Sequence, residues 1–163
     1  IAINASRQGA KDEQMQIDVC NKTTSKFGIS IINLTATAYR PTKSGEILDS
    51  KTLKSSKICK NDCLKSFDAK ISGRVDGWVF AKVVIGIGGH QDNVFEEAYN
   101  FCDWVVEYGK SPKIYVLLID TNLKRIFDKL KQKYKNIDHL VIGNHIEVQQ
   151  YFIDNYGSSL GSK

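Results

Sequence analysis

Residues 66–86 read SFDAKISGRVDGWVFAKVVIG, two extended segments joined by a glycine-bounded turn. Residues 66–71 and 78–86 alternate as strands do, and Ser72–Gly77 carries the turn chemistry between them. The pattern predicts a β-hairpin in which Phe67, Ala69 and Ile71 share a row with Val79, Ala81, Val83 and Ile85. Asp68 and Lys70 then join Trp78, Phe80, Lys82 and Val84 on the opposite row. With Gly73–Gly77 as the loop, Ser72 faces Trp78, Lys70 faces Phe80, and Asp68 faces Lys82, with opposed Cβ atoms roughly 5 Å apart. A slip of one residue would carry a charge into the core, so the register is pinned.

Upstream, residues 11–26 predict a helix with a stripe of Met15, Val19 and Cys20, stopped by Gly28. Residues 29–39 alternate and predict a strand, with Ile32, Leu34, Ala36 and Ala38 on one side. Residues 40–65 are polar and rich in lysine, which suits either a solvated excursion or an arm along phosphates. Downstream, residues 93–108 predict an amphipathic helix on Val94, Phe95, Ala98, Phe101, Cys102 and Val105. Ile114–Ile119 is wholly apolar and predicts a central strand covered on both faces. A helix over 122–134 with Leu123, Ile126, Phe127 and Leu130 inward, a strand over 140–143 and a helix over 145–156 complete the chain, with 157–163 as a flexible tail. A meander followed by βαβ units gives an α/β (α+β) domain spanning residues 1–163, a central mixed β-sheet flanked by helices.

The 163 residues carry 23 Lys and Arg against 18 Asp and Glu, a net charge of +5. That balance favours an anionic partner only weakly. Ordinary apolar and charged fractions exclude collagen, coiled coil and global disorder, and the short apolar runs exclude a membrane-spanning helix. Ile1 leaves room for an upstream segment. Of four cysteines, Cys20 and Cys102 read as core thiols. Cys59 and Cys63 form the one close pair, without the further ligands a zinc site needs. A reduced, cytoplasmic setting is the simplest expectation, and the sequons at Asn4, Asn21 and Asn33 then carry little weight.

An Asp68–Lys82 pair is either a cross-strand ion pair or the start of a hydrolytic site, with a carboxylate for Mg²⁺ and an ammonium beside it. Gly88-Gly89-His90-Gln91 follows the hairpin and leads into a helix. On these residues the chain resembles the PD-(D/E)xK nuclease superfamily, especially type II restriction endonucleases. Over roughly residues 11–150, its order of elements is similar to their core. Phe67-Asp68 matches their Pro-Asp, and Phe80-Ala81-Lys82 matches their Glu-x-Lys. The resemblance implies a restriction-endonuclease-like core and Mg²⁺-dependent hydrolysis of phosphodiester bonds in double-stranded DNA. It also implies a homodimer, since cutting both strands at a symmetric site needs two copies.

In that reading Asp68 ligates the metal, Lys82 positions the water, and Ala81 lends its carbonyl. The acid missing at Phe80 comes from Glu96, fourteen positions after Lys82, with Glu97 as second choice and Glu13 of the first helix as a third. Glu96 has another explanation, since Asn93-Val94-Phe95-Glu96 is a capping-box pattern. Gln91 contacts the water or phosphate, or bonds loop backbone. Arg7, Gln8, Arg40, Lys43, Arg74, His90, Asp92 and Asn93 can contact phosphates or base edges, or simply be solvated. Two other readings stay open. The loss of the acid at Phe80 suits a nuclease fold that binds DNA or a partner without cutting. A small α/β nucleotide-binding module lacks any recognisable phosphate loop here.

Overall fold

The computed structural model describes residues 2–35, 37–86 and 91–157, leaving aside the side chains of 2–10, 60 and 91–94. The elements run α1 (Ala2–Thr24), β1 (Ile29–Asn33), β2 (Tyr39–Pro41), β3 (Ile47–Asp49), α2 (Ser50–Ser55), β4 (Ala69–Gly73), β5 (Gly77–Val84), α3 (Gln91–Tyr108), β6 (Ile114–Thr121), α4 (Lys124–Lys133), β7 (Leu140–Gly143) and α5 (His145–Tyr156). Five strands form one sheet in the order β1-β4-β5-β6-β7. The meander β1-β4-β5 is antiparallel, and β5, β6 and β7 are parallel. The fold is therefore a mixed α/β domain, as the element order predicts.

Both faces of the sheet are covered, and strand alternation divides the apolar side chains between them. On one face Trp78, Phe80 and Val84 of β5 and Tyr115, Leu117 and Ile119 of β6 pack against Phe95, Phe101, Cys102 and Val105 of α3 and Phe127 and Leu130 of α4. On the other, Val79, Ala81, Val116 and Leu118 pack against Ile17 and Cys20 of α1 and Val148 and Phe152 of α5. β6 is buried along most of its length, as its unbroken apolar run predicts. Two apolar rows, not one, thus face a core.

Several local expectations are corrected. The hairpin register is shifted by two residues: Ala69 pairs with Val79 and Lys70 with Trp78, so Asp68 does not stand directly opposite Lys82. A two-residue shift keeps every side chain on its face, so the alternation cannot detect it. Lys70 tolerates its place beside Trp78 because its ammonium lies 4.6 Å from the ring and bonds the carbonyls of Ile71 and Gly77. The chain also bends at Asp68, so Phe67 and Ala69 fall in opposite cores. In α1, Met15 and Val19 are exposed, and Gln16, Ile17, Cys20 and Thr24 form the buried stripe. The expected strand over 29–39 ends at Asn33, and the polar stretch after it forms the β2–β3 ribbon and the short α2. Trp104 Nε1 ties that ribbon down by donating to the Thr42 carbonyl at 2.7 Å. Residues 158–163 of the expected tail lie outside the described residues. No helix among those described is long and apolar enough to cross a membrane.

Candidate functional site

β5 outruns its antiparallel neighbour. Pairing with β4 ends at Ala69–Val79, while β5 continues beside β6 as far as Val84–Thr121. Along this overhang alternate backbone groups face the edge that β4 has vacated. Carboxylates take up the N–H groups there. Ala81 N–H donates to Asp68 Oδ2 at 2.7 Å, and Val83 N–H donates to Glu13 of α1. The same alternation turns the Ala81 carbonyl toward this edge. The bend at Asp68 makes this possible: Leu34 N–H donates to the Asp68 carbonyl, Asp68 N–H donates to Val79, and the side chain is freed to reach along the rim.

Lys82 lies one strand position away, on the α3 face above Phe80, with its ammonium 5.0 Å from that ring. Its Nζ stands 3.8 Å from Glu97 Oε2, and Lys65 approaches the other oxygen of Glu97 at 3.9 Å. Four charged side chains from α1, β5, α3 and the approach to β4 thus meet at one end of the sheet.

The electrostatics show a surplus of negative charge. Burial pushes the Asp68 carboxyl up to about 6, and the Glu97 charge adds to the rise; the Ala81 N–H and Lys82 oppose it. Burial likewise pushes Glu13 up to about 7, reinforced by the charges of Asp68 and then Glu97 and opposed by Lys82 and the Val83 N–H. Burial is the main cause for both Asp68 and Glu13, and the charge of Glu97 adds to each because Lys82 offsets it only in part.

This arrangement yields a stability prediction. Glu13 holds its proton in the folded state through a pH interval in which the unfolded chain has already released it. Stability therefore falls as pH rises from about 4.5 to about 7, and the full penalty persists above that. Glu13→Gln keeps an acceptor for the Val83 N–H and removes the titration. Thermal denaturation in EDTA should show the variant melting above the wild type at pH 8, with the gap closing below about pH 4.5. A gap independent of pH would contradict the burial and repulsion described.

The sequence expectations fall out unevenly. Asp68, Lys82, Ala81, Glu97 and Glu13 come together. Glu96 is exposed, and the acid beside Lys82 is Glu97. The alternative account of Glu96 also fails, because α3 begins at Gln91 and Asn93 lies inside the helix instead of capping it. Gln91 and Asp92, expected before the helix, join Asn93 in the first turn of α3, with side chains outside the described set. His90 lies outside the described residues altogether, and Arg7 and Gln8 are described only as backbone of α1. The Arg74 guanidinium donates to the carbonyls of Phe27 and Tyr156, each at 3.1 Å, and lies over the Tyr156 ring. It belongs to the turn before β5, at the other end of that strand from Lys82.

Arg40 and Lys43 border a cleft of about 540 Å³ that opens beside Glu97. Lys65, from the lysine-rich stretch read as a possible arm along phosphates, lines it too, as do Asn61 and Asn100, which sequence reasoning did not single out. Asn100 and Phe101 follow Glu97 by three and four positions, so all three share one side of α3, and that spacing was the readable signal.

The donor set suits a hard cation, being carboxylate oxygen with a carbonyl beside it. As arranged here, no three His, Cys, Asp or Glu side chains among the described residues are grouped closely enough to hold a metal ion. Binding one would bring Asp68, Glu97 and Glu13 closer than they now stand. Comparison with family models, curated proteins and solved structures returns no match for this chain.

Proposed function

We propose that this protein is a Mg²⁺-dependent endonuclease that hydrolyses phosphodiester bonds of double-stranded DNA, of the restriction type in the PD-(D/E)xK superfamily. The observation that carries the reading is the meeting of Asp68, Glu97, Glu13 and Lys82 at the overhanging end of β5, with more acid than the neighbouring cations neutralise. The strand order, an antiparallel meander continued by parallel strands, accords with the core expected of that superfamily.

Asp68 and Glu97, with Glu13 and the Ala81 carbonyl, would hold the ion. When bound, Mg²⁺ supplies Lewis-acid polarisation of the phosphodiester and neutralises charge that the acids would otherwise repel. Lys82 orients the attacking water by hydrogen bonding and offsets the negative charge that grows on the phosphoryl oxygens. Arg40, Lys43 and Lys65 draw the backbone toward the rim. Cutting both strands calls for a second copy of the chain. The free thiols suit a cytoplasmic setting.

A second reading rests on Phe80. It occupies the position where the resemblance calls for an acid, and it is buried, stacked on Phe101 with ring centroids 5.4 Å apart. It cannot ligate a metal, which favours a nuclease fold that binds DNA or a partner without cutting it. Incubation with mixed plasmid DNA and Mg²⁺ separates the two. Discrete fragments that vanish without Mg²⁺ support the endonuclease; retarded but intact DNA supports the second reading.

A further inference from the structure

We infer that the cleft beside Glu97 is a subsite for one unpaired nucleotide of a nucleic-acid strand, with its cationic rim on the phosphate and its amides on the base. The inference rests on the endonuclease reading and extends it by naming which part of the substrate reaches the rim of the sheet. The cleft's volume of about 540 Å³ lies within the roughly 300–1,000 Å³ typical of small-molecule sites. As a sphere it would be about 10 Å across, room for one nucleotide but not for a base pair together with both of its backbones. A single extruded or single-stranded nucleotide can enter it.

The lining is differentiated in the way such a ligand requires. Arg40, Lys43 and Lys65 supply positive charge. Arg40 spends one N–H on the Leu64 carbonyl, which steadies the guanidinium and leaves its other donors available. Asn61 and Asn100 each offer a carbonyl acceptor and an amide donor, the pair of functions that reads a base edge. Phe80 and Phe101 close the inner wall with apolar surface, against which a base loses less by leaving water than a phosphate would. Glu97 belongs both to this lining and to the acidic cluster, so a nucleotide seated here lies next to the bond that would be cut.

The test is titration of the full chain in EDTA with each deoxynucleoside 5′-monophosphate, with inorganic phosphate and with deoxynucleosides, followed by NMR of the Asn61 and Asn100 side-chain amides. The expected result is saturable nucleotide binding that shifts both amides and is at least fivefold tighter than binding of phosphate or nucleoside alone. Lys65→Gln and Asn100→Leu should each weaken it about tenfold while the spectrum keeps its dispersion. Phosphate or nucleoside binding as well as nucleotide, shifts only outside the cleft, or no saturation would each overturn the inference. Because EDTA removes the metal requirement, the outcome is independent of cleavage. Nucleotide binding without plasmid cleavage would leave the subsite and remove the catalysis, and the converse would do the opposite.

Discussion

Lys82→Ala is expected to lower Mg²⁺-dependent cleavage of plasmid DNA by about 10²–10³-fold while leaving the fold intact. The magnitude is that of removing one group aimed at charge that develops in the transition state. The position of the ammonium fits that role. It stands beside Glu97, and its charge opposes the raised proton affinities of both Asp68 and Glu13. Its removal has a second consequence, since both acids then hold their protons to higher pH and bind a cation less readily. The structural effect should be small. Lys82 and Glu97 keep 23% and 27% of their side-chain surface exposed, and a pair so placed is worth at most about 1 kcal/mol. Circular dichroism melting beside the cleavage assay separates the two effects. Unchanged cleavage in a folded variant would remove Lys82 from the chemistry.

Gly77→Ala should be the more damaging change to the fold. Gly77 opens β5 and pairs with Ile114 at the start of β6. A Cβ added there would lie 1.7 Å from the Ile114 carbonyl oxygen and 2.7 Å from its carbon. These are backbone atoms held by the parallel ladder and by the bond from Ile114 N–H to the Asp76 carbonyl, so no side chain can turn aside to relieve the clash. The two central strands must separate, at a cost of about 3 kcal/mol or more, which lowers Tm by roughly 6–12 °C in a chain of this size. Gly157→Ala is the control. Its Cβ would meet nothing nearer than 3.5 Å, and its backbone is already helical. Equal melting temperatures for the two variants would contradict the close approach of β5 and β6.

Much of the fold was legible because it rests on long apolar patterns. The Ile114–Ile119 run could only be a covered strand, and Phe95, Ala98, Phe101, Cys102 and Val105 permit one buried helix face. What escaped was phase and register. Met15, Val19 and Cys20 looked like a core stripe, yet of the three only Cys20 is buried, with Ile17 beside it; neighbouring helix positions differ by about 100°, which a few apolar residues cannot resolve. The same ambiguity governs Glu96 and Glu97. Glu97 lies one turn before Phe101 and so faces the cleft and Lys82, while Glu96 is turned out to solvent. The hairpin shift has a different cause. A two-residue slip keeps every side chain on its own face, so alternation cannot register it, and the bend at Asp68, which bonds through its backbone to both Leu34 and Val79, leaves no trace there either. The gathering of acids around β5 was expected only from the resemblance to the nucleases. Its cause, a strand that runs past its neighbour and takes carboxylates for its N–H groups, needed the register.

Calorimetric titration of Mg²⁺ at pH 6.5, in two buffers of different protonation enthalpy, tests the site most directly. With Asp68 held up to about 6 and Glu13 to about 7, ion binding must expel protons, so the wild type should bind saturably with a heat that differs between the buffers. Asp68→Asn, whose amide oxygen can still accept from Ala81, should lose that binding. A wild type that takes up no Mg²⁺, or a variant that binds it as tightly, would show that these carboxylates cap the end of β5 and hold no catalytic metal.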